Sequence, residues 1–190
     1  MIDVFKDYVI PLLNKDRELK ANFVWGDSAY IREYLLTLKK SSSTAPYRFP
    51  LIGLYSPFEE IRDSSNYKGR VNLNLILAVN TLPQYTNEQR LEVSFKQCLR
   101  PLYDDLMKVL STCGRFDVPY DGILSHSYTE NYSFGKRGAI DADGKEIDEK
   151  IDAIEIKNLE LTIKNVNCYA NRLYIVWWLC RRFQYRSELL

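Results

Sequence analysis

His126 is the only histidine in the 190-residue chain, so any imidazole-based proton transfer would have to run through it. Ser125 and Ser127 flank it, but neighbours in a strand-like run point to opposite faces, which disfavours a Ser–His relay. A nucleophilic serine also needs a sharp turn of the G-x-S-x-G kind, and the sequence contains none. Asp141, Asp143 and Glu146 surround Gly144, a grouping that invites a calcium reading. The calcium loop of a helix pair, however, sets its ligands at alternate positions leading to a glycine at the sixth, and here the glycine comes too early. Asp143-Gly144 is the favoured pair for a tight hairpin turn. Glu59-Glu60 and Asp104-Asp105 are adjacent carboxylates whose side chains diverge, so they read as solvated charges and not as an acid–base pair. Neither G-x-x-x-x-G-K-[ST] nor G-x-G-x-x-G occurs, and nucleotide binding has no support. Cys98, Cys113, Cys168 and Cys180 form no C-x-x-C pair. With one histidine to join them they suit reduced, apolar packing better than zinc. The expectation is a protein with no catalytic residue, no metal and no cofactor, and therefore not an enzyme.

Two regions carry more information. The stretch from Ser127 to Lys150 is polar, contains Lys136 and Arg137 among aromatics and glycines, and is longer than a compact hairpin needs; long loops in compact domains are often functional, and a disordered tip is the plain alternative. In the segment from Tyr169 to Leu190, Tyr174, Trp177, Trp178, Phe183 and Tyr185 interleave with Arg172, Arg181, Arg182 and Arg186. Trp, Tyr and Arg together make the composition of an interface hot spot. Docking on the chain's own core is an equal reading, and the same mixture suits single-stranded nucleic acid or a membrane surface. Lys136, Arg137, Tyr174, Trp177, Trp178, Arg181, Arg182 and Phe183 are the candidate interface residues.

These regions need elements to carry them. With 26 Lys and Arg against 25 Asp and Glu, the net charge of +1 sets up neither the basic field of a duplex-DNA binder nor the acidic excess of a disordered chain. The first residues mix charges into apolar positions, unlike a secretion signal, and the longest apolar run, Leu173 to Cys180, is too short to span a bilayer. No membrane partner is expected, and synthesis is placed in the cytoplasm. Helical spacing marks a short first helix over residues 2–13 disturbed by Pro11, a second over about 28–40 capped near Ser28, and a long third helix opened by Thr86 with Gln89 at the capping-box position and closed by Gly114. Pro101 inside it predicts a kink. Strands are expected over 49–55, buried on both faces, and over 71–80, where alternation is cleanest; a further strand-like run covers 123–134. The last strong strand starts near Asp152. Ile154 and Ile156 are out of phase with Leu159, Leu161 and Ile163, which predicts a bulge near Lys157-Asn158. The order α-α-β-β-α-β-β implies an α+β domain whose mixed, mainly antiparallel sheet has helices packed on one face. Residues 1–165 form this core and 166–190 an aromatic, basic extension.

The phrases YRFPLIGLYSP, RVNLNLILAVNTL, YTNEQRLEVSFKQCLRPLYDDLM and IDAIEIKNLELTI, in this order after a short first helix, resemble small phage neck proteins, the tail terminators and head–tail joining proteins. Versions from Bacteroides phages and prophages, including crAss-like phages, are the most similar. The resemblance covers residues 1–165. It implies a tail-terminator-like fold and a virion location after synthesis in the bacterial host. It also implies a ring of 6 or 12 copies in contact with the portal or adjacent neck and tail proteins, through whose lumen DNA passes without sequence-specific binding. The 127–150 stretch would then point along the ring axis or into the lumen. A nucleic-acid-binding module using the basic aromatic extension is the alternative.

Overall fold

The fold is taken from a computed structural model that describes residues 1–31, 33–34, 49–63, 68–82, 84–132, 139–140, 146–147 and 151–164. Its centre is a pair of long antiparallel strands, β4 (Lys68–Asn80) and β9 (Ile151–Lys164). Two shorter strands share the outer edge of each. On β4 these are β2 (Leu51–Tyr55) and β3 (Glu60–Asp63); on β9 they are β5 (Phe116–Asp117) and β6 (Ser127–Asn131). All these pairings are antiparallel, and the one parallel pairing among the described residues joins β1 (Asn22–Gly26) to β2. The class is α+β with a mixed, mostly antiparallel sheet, as expected. A separate antiparallel pair joins β7 (Ala139–Ile140) to β8 (Glu146–Ile147).

Helix α1 runs through the contiguous pieces Ile2–Val4, Phe5–Val9 and Ile10–Leu13, and α3 through Asn87–Arg90, Leu91–Leu99 and Arg100–Thr112. In both, the middle piece is a π-helix. The N–H of Ile10 donates to the carbonyl of Phe5, and that of Arg100 to the carbonyl of Phe95. Each widened piece leads directly to a proline, Pro11 or Pro101, near the start of the following α-helical piece. A proline ring inside an α-helix collides with the carbonyl four residues back and offers no amide. Widening the preceding turn relieves both problems without ending the helix. The two sites share the phrase Phe-Lys-x-x-Val/Leu-x-Pro, and in both the phenylalanine is fully buried. The disturbance expected at Pro101 therefore takes the form of a widened helix. The N-terminus of α3 is the expected capping box: Gln89 N–H donates to Thr86 Oγ1 and Thr86 N–H to Gln89 Oε1. Gly114, in the left-handed region, follows its end.

One face of the sheet packs on α1 and α3. Ile52, Leu54, Leu73, Leu75, Leu77, Ile154 and Ile156 meet Phe5 and Val9 from α1 and Phe95, Leu99, Leu102 and Leu106 from α3 in a continuous buried cluster. The expectation of helices on one face holds for these two. Helix α2, of which residues 28–31 and 33–34 are described, lies on the other face, where Ile31 packs among Val24, Leu51, Ile76 and Ala78. Gly53 makes room for it: a Cβ there would stand 2.7 Å from Ile76 Cγ2 and 3.3 Å from Ile31 Cδ1. The rest of the expected 28–40 helix lies outside the described residues.

The predicted bulge is present. Leu73 pairs with Leu159 and Leu75 with Ile156, so the register shifts opposite Asn74. Asn158 takes the left-handed conformation, φ 55°, and its N–H donates to Asn74 Oδ1 at 3.0 Å. The extra residue is what lets Ile154, Ile156, Leu159 and Leu161 all reach the same core. Asn tolerates a positive φ where a β-carbon with no local hydrogen bond does not. Asn158→Ala is expected to lose about 1 kcal/mol of stability and Asn158→Gly close to none, read as shifts of the urea midpoint. One strand was not expected and one expectation needs correction. Asn22–Gly26 is a strand, and among the described residues of the 123–134 run the strand covers Ser127–Asn131. Residues 120–122 form a turn closed by Gly122 N–H to Pro119 O, which takes Ile123 out of any ladder and leaves Tyr120 and Ile123 exposed.

Candidate functional site: the root of the 133–150 arm

β6 leads out of the core and β9 returns to it, with Asn131 opposite Ala153. Nested inside that pairing, Ala139 stands opposite Ile147 and Ile140 opposite Glu146. The chain between β6 and β9 thus contains the antiparallel pair β7–β8; the tight turn expected at Asp143-Gly144 lies outside the described residues. Asp141 and Asp143 themselves lie outside the described residues.

Both limbs of the arm are held at the root by one side chain. Arg90, in the first turn of α3, is buried, and so is Asp152, the second residue of β9. The guanidinium donates through Nε to Asp152 Oδ2 at 3.3 Å and through Nη2 to both Asp152 Oδ1 and the backbone carbonyl of Tyr132. Tyr132 is the residue after β6 and Asp152 lies at the start of β9, so Arg90 grips the outgoing and incoming chains together. Its charge also lies 5.4 Å from the Tyr132 ring centroid, and that ring is held against Phe95 at 4.3 Å. A forked, planar cation meets a carboxylate and a carbonyl at once in a way a lysine does not.

A second group of side chains stitches β6 to α3 below the root. Glu130 accepts from Arg100 Nε at 2.7 Å and Nη2 at 3.2 Å, and from the Tyr128 hydroxyl at 2.8 Å. Tyr103 meets Tyr128 edge to face at 4.9 Å. The hydrogen bonds from Arg100, helped by Tyr128, hold the Glu130 carboxyl below its usual range against the opposing effect of burial; burial and the Glu130 carboxylate push the Tyr128 phenol well up. Because the folded state lowers the Glu130 pKa, its contribution to stability is complete above the unfolded value, about 4.3, and is lost as pH falls through the folded one. Glu130→Gln is accordingly expected to flatten the acid limb of a stability–pH curve below about pH 4.3, measured by urea unfolding at stepped pH.

His126 belongs to this seam. Its Nδ1 lies 2.7 Å from the Leu124 carbonyl and its Nε2 2.6 Å from the Tyr103 hydroxyl. The carbonyl can only accept, so Nδ1 carries a proton, and in the neutral ring Nε2 accepts from the Tyr103 hydroxyl. Both ring nitrogens are engaged, and neither by Ser125 or Ser127. Asp105 pairs with Arg17, and Glu60 with Arg62. Cys98 is half-buried in α3, where burial raises its thiol pKa. Among the described residues no cluster of His, Cys, Asp and Glu could hold a metal ion. What the arrangement does chemically is tie the chain on either side of residues 133–150, at Tyr132 and Asp152, to α3.

Lys136, Arg137, Tyr174, Trp177, Trp178, Arg181, Arg182 and Phe183 all lie outside the described residues. The residues that do form the root, Arg90, Tyr132 and Asp152, were not singled out from the sequence. One signal was available: Asp152 is in phase with Ile154 and Ile156, and a carboxylate in the core phase of a strand demands a partner. Comparison with protein-family models and with curated proteins finds no match to this chain.

Proposed function

We propose that this chain is a virion structural protein, one subunit of a homo-oligomeric neck or tail-terminator ring that joins the portal or head to the tail around the DNA channel. The observation that carries the reading is the mounting of the arm. Arg90 and Asp152 are both buried, and a buried ion pair is seldom the most stabilising choice for its volume; one well-attested use is to specify geometry. Here it fixes where an arm of 18 residues, 133–150, leaves and re-enters the core. Such a mounting suits a ring subunit that presents one segment toward the axis or the stacked neighbour while two different surfaces of the core meet to close the ring. The order of elements along residues 1–165 and the mixed α+β sheet support the same reading. Partners in this proposal are further copies of the chain, 6 or 12 in number, the portal or adjacent neck and tail proteins, and DNA passing through without base readout. The virion neck is the proposed location.

The test is the mass of the purified full chain by light scattering over a concentration series, with negative-stain imaging of any species above the monomer. Closed rings of a fixed subunit number are the expected result. A monomer at every concentration, also in the presence of portal or tail components, overturns the proposal.

A further inference from the structure

Among the described residues the most exposed large apolar side chains are Tyr120, Ile123 and Ile61. Scattered singly, such side chains are ordinary, but the first two share one turn on one edge of the sheet. Between β5 and β6 the chain leaves the outer edge of β9: Asp117 stands opposite Thr162, Ser127 opposite Lys157, and Glu160 N–H donates to Ser125 O between them. The turn that projects there is fastened by Gly122 N–H to Pro119 O at 2.9 Å and by Ile123 N–H to Asp121 Oδ1 at 3.1 Å. Tyr120 is wholly exposed and Ile123 is 68% exposed. An aromatic side chain with two torsions, carried on a fastened turn, loses little freedom when a partner buries it.

Ile61 lies on the opposite edge at the same level. It is in β3, on the outer side of β4, opposite Arg70, and Arg70 is opposite Thr162 of β9. Glu59, Ile61, Arg70, Val71 and Asn72 line an open hollow there, with Ile61 58% exposed. The charges on the two edges are complementary. Glu60 of β3 is matched by Arg62, whereas the ion pairs among the described residues use neither Arg70 nor Asp121. We propose that the Tyr120 turn of one copy of this chain docks in the Ile61 hollow of the next. Tyr120 and Ile123 then cover Ile61, and the Asp121 carboxylate, which has one oxygen on the Ile123 N–H, meets the Arg70 guanidinium with the other. A second copy is required, because β4 and β9 stand between a chain's turn and its own hollow, and β5 and β6 anchor the turn on either side. Two different surfaces on opposite edges make a head-to-tail contact, which closes into a ring when the rotation allows. The inference rests on the ring reading and supplies its contact.

The test is the oligomeric state of the full-length chain and its variants by light scattering and negative-stain imaging. Tyr120→Ser and Ile61→Asp replace exposed side chains and are each expected to stay folded by circular dichroism. Each is expected to raise the concentration at which rings half-form at least about thirtyfold, the loss of one anchor per contact. Arg70→Glu or Asp121→Lys alone is expected to lose the rings, and the two together in one chain to regain them, a recovery that damage to the fold does not produce. Rings that survive all four single variants overturn this inference and leave the ring reading intact. Loss of rings without recovery in the charge-reversed double variant overturns the pairing of Asp121 with Arg70. Open filaments that the same variants dissolve retain the contact and overturn the closed ring. A monomer at every concentration, also in the presence of portal or tail components, overturns both.

Discussion

Arg90→Ala is expected to remove about 3–5 kcal/mol from the unfolding free energy, the cost of leaving one member of a buried ion pair without the other. Two polar groups are stranded at once: the Asp152 carboxylate, which is fully buried, and the Tyr132 carbonyl that shares the same guanidinium. For a domain whose total stability is about 5–15 kcal/mol, this is about a fifth of it or more. Arg90→Lys is expected to recover only part of the loss, because an ammonium cannot span carboxylate and carbonyl with a rigid fork. The informative comparison is Arg90→Met with Asp152→Leu, which removes both charges and keeps the volume. That double variant is expected to lie within about 1–2 kcal/mol of the unmodified protein, since apolar replacement of a whole buried pair is often neutral. Urea unfolding of the four proteins is the measurement. If the double variant is as unstable as Arg90→Ala, the pair is a true source of stability and its reading as a device for fixing the arm fails. If it is stable but no longer assembles, geometry is what the pair provides.

How far the sequence could be read depended on whether a feature was local and periodic. The bulge at Asn158 was legible because a one-residue change of phase between Ile156 and Leu159 leaves no other way to keep both on the core. The capping box was legible because Thr86 and Gln89 are three residues apart and bond only to each other's backbone. β1 was not, since Phe23, Val24 and Trp25 are too few to show a period and become a strand only by parallel pairing with residues 51–55, nearly thirty positions away. The widened helices were half legible. Pro11 and Pro101 announced a disturbance, but whether a helix kinks, stops or widens is decided by what packs around Phe5 and Phe95. Arg90 looked like an ordinary polar residue of a helix's first turn, and its role depends on Asp152, 62 positions later in the chain. A polar partner so distant leaves no trace in spacing, and only the phase of Asp152 betrayed the need for one.

Phe95→Ala is the second large effect and tests whether the arm root acts as one unit. Phe95 is fully buried, sits in the widened part of α3, and holds the Tyr132 ring at 4.3 Å while the Arg90 cation lies 5.4 Å from the same ring. Truncating a fully buried phenylalanine costs about 3–5 kcal/mol through lost burial and the cavity left behind. Part of that loss here should be loosening of Tyr132, whose carbonyl is one of the two acceptors Arg90 holds. If so, Phe95→Ala and Arg90→Met are not independent. A double-mutant cycle is expected to show the pair costing less than the sum of the singles by about 0.5–3 kcal/mol, the range for residues sharing a partner. Tyr132→Leu in the background should abolish most of that coupling, because it removes the ring through which the two side chains meet. Strict additivity would mean that Arg90 secures the arm through Asp152 alone, and that the outgoing limb at Tyr132 is free to move without disturbing the helix.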